Sequence, residues 1–231
     1  MAYYNTPWGP RAGLAETDLV RMNTIIYKNW NLEMSGLTEI DFKFNHELLI
    51  NEVKYWRDRV PELQGDKSPF PEDYYKVIQD MKQISEDARY PEIQLPAACE
   101  EVERFLRHYS LTNIDVRPRY YVLKEDGYLA PHIDLATQCS INTVLTDPNT
   151  PIYLGGRSYN VHNEEVDEAR EIIKVIGDDI KTHLTPYTYK TAALDTTRIH
   201  AVDNKGHNER LLFKLSFFDI TYDDLIREIH E

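Results

Sequence analysis

Three polar side chains in the second half of the chain are of types that bind metal ions. His132 and Asp134 are separated by one residue in the segment YLAPHIDLATQC, and His200 lies in the segment RIHAVDN. In an extended strand, residues i and i+2 project to the same face, so the imidazole and the carboxylate can converge on one ion. Two histidine nitrogens and one carboxylate oxygen form the facial ligand set of non-haem Fe(II) oxygenases. The pattern therefore predicts a site for a single metal ion at these three residues.

Two other histidines also have an acidic residue two positions later, so spacing alone does not select the ligands. His162 and its glutamate run directly into EEVDEAREII, which has a helical pattern, and residues i and i+2 of a helix do not share a face. His207 and its glutamate lie in KGHNE, which is typical of an exposed turn. His132 instead follows a hairpin signal and precedes a strand pattern apolar enough to be buried. We therefore select the His132 pair, with a hydrogen-bonded surface pair as the alternative.

The segment RLLFKLSF, at 210–217, alternates apolar residues with two cations and a hydroxyl. Its apolar positions are Leu211, Phe213, Leu215 and Phe217. This alternation predicts a strand with one buried apolar face. The other face carries Arg210, Lys214 and Ser216, a set that is costly to bury unless an anion or an acidic side chain meets it.

The elements that must position these residues are strands. Between residues 111 and 220 the sequence consists of short runs of β-branched and aromatic residues, separated by turn signals such as EDG and DPNTP. A helical pattern with an acidic amino end interrupts this region near 164–177, and a short helix closes the chain at 221–231. We therefore predict a mainly β core that is a jelly roll or a partly open barrel.

The region 1–110 is predicted to be mainly helical and to pack on that core. One helix begins after Asn45 as its N-cap and ends before Pro61. A second, over 71–88, begins at a proline, and AACEEVERFLRHYS forms a third. The segment 23–30 is different, because its β-branched and aromatic residues predict a strand.

Composition narrows the class of protein. The chain has 231 residues, 42% of them hydrophobic, and it is predicted to form a single domain over 1–231. Its formal net charge of −13 opposes approach to nucleic-acid phosphates and anionic lipid headgroups. Two cysteines, Cys99 and Cys139, are too few for the disulfide framework of a small secreted domain. Because no signal peptide or membrane-spanning window is evident, a cytoplasmic protein is predicted.

Over roughly residues 112–220 the sequence resembles the superfamily of 2-oxoglutarate- and Fe(II)-dependent oxygenases. His132-Ile-Asp134 is similar to the first two metal ligands, His200 to the distal ligand, and Arg210 to the basic residue that follows it about ten positions later and binds the far carboxylate of 2-oxoglutarate. The segment HAVDNKGHNERLLFKLSF resembles aspartyl/asparaginyl hydroxylases. The HxD element with its Tyr-rich preceding strand is closer to prolyl hydroxylases, and the whole is also similar to small virus-encoded members. The resemblance implies a double-stranded β-helix, the cupin-like form of a jelly roll.

The resemblance also implies side chains for the co-substrate. Arg210 is favoured as the anchor because a planar guanidinium matches a carboxylate. Lys214 fits a Lys-x-Ser version of the same motif and stays open as the alternative. Tyr121 resembles the tyrosine whose hydroxyl supports that carboxylate, or Tyr120 if the strand phase is shifted by one. Asn142 is a candidate for the near end of the co-substrate, or a core residue satisfied by the backbone.

The function implied by the resemblance is that of an enzyme that uses Fe(II), 2-oxoglutarate and O2 to hydroxylate the side chain of a peptide, protein or free amino acid. Nucleic acid and membranes are not expected as partners. Two alternatives remain from the residues themselves. One is a non-catalytic jelly-roll binding or structural module, whose triad holds a structural ion or none. The other is a zinc hydrolase with the same ligands, although no nearby carboxylate is an obvious base for it.

Overall fold

A computed structural model describes residues 36–60, 80–86, 91–162, 165–177 and 179–231. The strand expected at 23–30 lies outside these ranges. Within them, ten strands form two antiparallel sheets. The strands are β1 Leu37–Glu39, β2 Met81–Ile84, β3 Val116–Leu123, β4 Tyr128–His132, β5 Cys139–Val144, β6 Ile152–Ser158, β7 Thr185–Tyr187, β8 Thr191–Asp195, β9 Arg198–Asp203 and β10 Arg210–Phe217. The helices are α1 His46–Arg57, α2 Pro96–His108, α3 Glu165–Ile176, α4 Ile180–His183 and α5 Tyr222–His230.

The order of the strands defines the fold. The larger sheet runs β1-β8-β5-β10-β3-β2 and the smaller runs β4-β9-β6-β7. The last eight strands pair in a nested way, β3 with β10, β4 with β9, β5 with β8 and β6 with β7. Nested pairing of this kind is one long hairpin wound into two facing sheets, which is the jelly roll. The predicted double-stranded β-helix is thus confirmed.

Alternation along β10 separates two environments. Its apolar positions, such as Phe213, face the helices and join a core cluster with Leu49 of α1, Phe105 of α2 and Leu225 of α5. Its alternate positions face the space between the two sheets, as residues of a strand alternate between faces. The helical layer therefore covers the outside of the larger sheet and leaves the inward face for the polar residues.

Glu52 of α1 ties the helical layer to the barrel. Its Oε1 accepts a hydrogen bond from Ala97 N at 2.8 Å, and its Oε2 accepts one from Ala98 N at 3.0 Å. These N–H groups begin α2 and have no partner within the helix, so Glu52 caps α2 from a different element. The hydroxyl of Tyr120 on β3 also donates to Oε2, at 2.7 Å. One carboxylate thus joins two helices and a strand.

The prediction of a helix over 71–88 is wrong for 80–86, the part of this range that the structure describes. Met81–Ile84 form the strand β2, which pairs with β3 so that Met81 lies opposite Leu123 and Ile84 opposite Tyr120. The outer edge of β3 offers unpaired N–H and C=O groups, and pairing with that edge outweighs the weak helical period of this stretch. The helix α3 lies where the acidic segment near 164–177 predicts one. Among the described residues, no helix is long and apolar enough to cross a bilayer. The single domain over 1–231 stays a prediction.

Candidate metal centre

The two histidines of the predicted site are brought together by strand register. His132 ends β4 and lies directly opposite His200 of β9. Residues opposite each other in an antiparallel pair project to the same face, and here the two ring centroids are 4.2 Å apart. Leu154 of β6 lies opposite His200 on its other side. His200 is therefore held between two strands, and both imidazoles face the larger sheet.

Asp134 completes the group just beyond the end of β4. Its N–H donates to the carbonyl of Thr196 at 3.0 Å, which fixes the backbone after the strand. Its Oδ1 lies 3.7 Å from Nε2 of His132 and 3.9 Å from Nε2 of His200. One ligand atom from each of the three residues lies within 4.8 Å of the other two. A donor set of two imidazole nitrogens and one carboxylate oxygen fits a divalent transition metal such as Fe(II).

Both imidazoles are held in the tautomer that metal binding needs. Nδ1 of His132 lies 2.8 Å from the carbonyl oxygen of Ala130, and Nδ1 of His200 lies 2.9 Å from that of Arg198. A carbonyl only accepts, so each Nδ1 carries the proton and donates it. Each Nε2 therefore presents a lone pair on the side of Asp134. Such outer hydrogen bonds orient metal-binding histidines and raise their basicity.

The protonation states also suit a metal ion. Burial lowers the pKa of His132, and burial together with repulsion from His132 lowers the pKa of His200 to about 3. Burial alone would raise the pKa of Asp134, but the ammonium of Lys214 and the two imidazoles hold that pKa far below its usual range. At neutral pH the group therefore consists of two neutral imidazoles and one carboxylate, the forms that act as ligands.

Lys214 lies beside this group and is paired with it. Its Nζ donates to Oδ2 of Asp134 at 2.5 Å. The lysine side chain is 8% exposed and that of Asp134 20% exposed, so the ion pair is largely buried. Lys214 lies on the inward face of β10, opposite Asn142 of β5 and Arg119 of β3. The sequence analysis expected either a bound anion or an acidic side chain to meet this cation. The structure provides the acidic side chain of Asp134.

Arg210 lies on the same face of β10, at the other end of the strand, and it has different hydrogen-bond partners. The residue is buried, and its Nη2 donates to the hydroxyl of Tyr189 at 3.3 Å. Among the described residues, its Nε and Nη1 have no hydrogen-bond partner. Directly opposite it on β3 is Leu123, part of an apolar cluster between the sheets that also contains Tyr189. The guanidinium thus offers two unused donors in apolar surroundings.

The remaining predicted residues, Tyr121 and Asn142, lie beside Lys214. Tyr121 faces inward, with its ring centroid 5.7 Å from Nζ of Lys214. Tyr120 faces the helices and bonds Glu52, so the strand phase that favours Tyr121 holds. Asn142 is buried, and its Oδ1 accepts no hydrogen bond from the part of the chain that the structure describes.

The hydroxyl that bonds Arg210 belongs to Tyr189, which the sequence analysis missed. Tyr189 lies two residues before β8, and nothing in the local segment TPYTYK marks it as a neighbour of β10. Only the sheet order, in which β8 and β10 both flank β5, brings this part of the chain close to the arginine.

The buried residue Arg198 orients the distal histidine, His200, through a hydrogen bond. The carbonyl of Arg198 accepts the Nδ1 proton of His200, and its guanidinium Nε donates to Oδ2 of Asp195 at 3.1 Å. The Arg198 side chain passes against Gly36, which precedes β1 and has a φ of +62°. A Cβ atom at Gly36 would overlap the arginine side chain, so this position combines a left-handed backbone with a lack of space.

The two competing histidines take part in other contacts. His207 Nδ1 lies 3.5 Å from Oδ2 of Asp147, while Glu209 pairs with Arg57 at 2.6 Å. His162 is exposed, with its Nε2 3.2 Å from the side-chain nitrogen of Gln138. The group of His132, Asp134 and His200 includes neither of the two.

Comparisons with known proteins give structural neighbours only. No protein-family model matches the sequence, and a search of curated proteins finds no match. The chain is similar to HygX from Streptomyces hygroscopicus, crystallised with nickel and 2-oxoglutarate bound, at 12% identity and a TM-score of 0.45 over 91% of this chain and 90% of that chain.

Two further solved structures are also similar. A prolyl hydroxylase from Trichoplax adhaerens, in complex with a hypoxia inducible factor peptide fragment, matches at 11% identity and a TM-score of 0.44 over 94% of this chain and 96% of that chain. An oxidoreductase of the 2OG-Fe(II) oxygenase family from Burkholderia pseudomallei matches at 14% identity and a TM-score of 0.36 over 78% and 95%.

Proposed function

We propose that this protein is an Fe(II)- and 2-oxoglutarate-dependent dioxygenase. The observation that carries the proposal is the convergence of His132, Asp134 and His200, whose ligand atoms lie within 4.8 Å of one another with both Nε2 lone pairs free. A triad of this composition occupies one face of an octahedral ion and leaves three positions open. A second observation supports the co-substrate, since Arg210 has two unused donors on the same inward strand face.

Each residue of the site has a part in this proposal. His132, Asp134 and His200 would hold the ion, and Arg210 would bind the far carboxylate of 2-oxoglutarate through charge-assisted hydrogen bonds. When bound, Fe(II) and 2-oxoglutarate supply the oxidising chemistry, in which O2 converts the co-substrate to succinate and CO2 and oxidises a C–H bond of the substrate. The protein itself orients the reactants and excludes water, and no protein base is required.

The finer proposal is a hydroxylase that acts on the side chain of a peptide, a protein or a free amino acid. A halide ligand would need the position that a carboxylate occupies, and Asp134 provides that carboxylate here, so hydroxylation is favoured over halogenation. The substrate class follows from the resemblance of the sequence to prolyl and aspartyl/asparaginyl hydroxylases. The net charge of −13 weighs against nucleic acid.

The test uses purified protein, Fe(II), 2-oxoglutarate and O2. Slow succinate release without a substrate, together with a metal-to-ligand absorption band formed under anaerobic conditions, is the expected result. His200→Ala should abolish both signals. The matched control is His207→Ala, which removes an equally spaced but uninvolved histidine and should leave both signals intact. A non-catalytic module gives neither signal, and a zinc hydrolase gives no succinate.

The substrate class is tested separately. A panel of peptides and free amino acids that contain prolyl and aspartyl or asparaginyl side chains is incubated with the loaded enzyme. Products heavier by one oxygen atom are expected. A chlorinated product would contradict hydroxylation, and demethylation of a nucleic acid with steep salt dependence would contradict the substrate class.

A further inference from the structure

We propose that Lys214 is a positioning residue for the metal centre, which holds Asp134 so that a single carboxylate oxygen faces the ion. The inference rests on the proposed function, since it concerns the ion that the triad would bind. Its basis is the contact between Nζ of Lys214 and Oδ2 of Asp134, at 2.5 Å. The same contact gives Lys214 an acidic partner within the fold, which favours Arg210 as the co-substrate anchor.

The two oxygens of Asp134 have different partners. Oδ2 accepts the hydrogen bond of Lys214, whereas Oδ1 faces the Nε2 atoms of the two histidines, at 3.7 and 3.9 Å. Among the described residues, Lys214 donates no other hydrogen bond. The lysine contact therefore engages Oδ2 and leaves Oδ1 as the carboxylate oxygen that faces the imidazoles.

The sheet keeps Lys214 in place. Strand β10 lies between β5 and β3, and Lys214 is fixed by its register with Asn142 on one side and Arg119 on the other. Its buried ammonium needs an anion, since an unpaired charge is costly away from water. Arg119 brings a second positive charge near it, and Asn142 is neutral. Asp134 is therefore the partner that Lys214 has to keep.

One-oxygen binding by Asp134 determines how many positions the ion keeps. Two imidazoles and one carboxylate oxygen leave three positions of an octahedron, whereas a carboxylate bound through both oxygens would leave two. A chelating 2-oxoglutarate uses two positions, so only the one-oxygen mode leaves a third for the other co-reactant. Lys214 thus acts through Asp134 and does not need to touch the substrate.

The test measures the carboxylate directly. In the Zn(II)-loaded protein with 13C-labelled aspartate, infrared difference spectra report the separation of the two carboxylate stretches, which is wide for one-oxygen binding and narrow for two. Lys214→Met should narrow this separation, because the second oxygen of Asp134 is then released to bind the ion. Lys214→Arg, which keeps a positively charged donor, should keep the wide separation. Lys214→Gln, uncharged and too short to reach Oδ2, should behave like the Met variant and replaces it if that variant does not fold.

The control is Arg210→Met, at the other end of the same strand face. It should leave the infrared signal and Mn(II) affinity unchanged while weakening 2-oxoglutarate binding to the Ni(II)-loaded protein. An unchanged separation of the carboxylate stretches in Lys214→Met, with or without a loss of 2-oxoglutarate affinity, would overturn the inference. Wild-type protein that binds Mn(II) but releases no succinate refutes the proposed function alone, because the Lys214 inference depends on the carboxylate signal.

Discussion

The inward face of β10 carries two buried cations, Lys214 and Arg210, and their surroundings differ. Lys214 meets the carboxylate of Asp134 at 2.5 Å, whereas Arg210 meets one neutral hydroxyl, that of Tyr189, and keeps two donors unused. A buried donor without a partner costs about 1–3 kcal/mol, more when it is charged. Among the described residues, the fold therefore gives one cation an acidic partner and gives the other none. This difference is the reason for the proposal that an anionic ligand binds at the Arg210 end.

The largest expected effect concerns the triad at the Lys214 end. His200→Ala removes one of three ligands and should weaken Mn(II) binding by about 100-fold or more, beyond the loss typical of outer partners. Calorimetric titration of the metal-free protein measures it, with His207→Ala as the control. Binding as tight as in the wild type would mean that the metal lies elsewhere.

The next effect tests whether Lys214 is compensated by Asp134 in the metal-free protein. Lys214→Met leaves the Asp134 carboxylate without its cation, and breaking a buried pair in this way should lower the free energy of unfolding by about 3 kcal/mol. Urea unfolding at neutral pH measures the change. A loss below about 1 kcal/mol would mean that this pair contributes no more to stability than an exposed salt bridge does.

A third prediction concerns ligand binding at the Arg210 end. Each charge-assisted hydrogen bond contributes about 1.5–3 kcal/mol, so Arg210→Ala should raise the Kd for 2-oxoglutarate at least about tenfold. Titration of the Ni(II)-loaded protein provides the measurement. If Lys214→Ala has this effect and Arg210→Ala does not, the anchor is the lysine and the contrast between the two cations is reversed.

The smallest effect has the opposite sign. Arg210→Met replaces a guanidinium that has two unused donors by an apolar side chain among apolar neighbours. Without a ligand, the free energy of unfolding should rise by about 1 kcal/mol, because the substitution removes buried donors that have no hydrogen-bond partner. Urea unfolding of the same preparation measures it. A clear loss of stability would show that Arg210 already has its partners in the unliganded fold.

Local patterns predict much of the fold. The alternation in β10, the turn signals between strands and the Asn45 cap all act within a few residues, and the structure has the corresponding elements. Strand β2 was missed because an edge beside β3 decides its conformation, and that edge is formed by residues distant in sequence.

The features of the candidate site also fall into two groups, those that a local pattern predicts and those that depend on the order of the strands. The HxD spacing points to His132 and Asp134 because both belong to one short segment. The pairing of Lys214 with Asp134, 80 positions apart, and the contact of Tyr189 with Arg210 depend on the order of strands in the sheets. Such contacts have no local signature, so the sequence left the roles of the two cations open.

Gly36 extends the influence of the metal centre to a position far from it in sequence. A Cβ atom there would meet the end of the side chain of Arg198, the residue whose backbone carbonyl orients His200. In a saturation mutagenesis screen selected for metal-dependent activity, position 36 should therefore favour glycine, because any other residue has to move the Arg198 guanidinium and adopt a left-handed backbone. The effect of a substitution in this protein therefore depends on its contacts with the residues that orient the metal ligands, and not only on its distance from the ion.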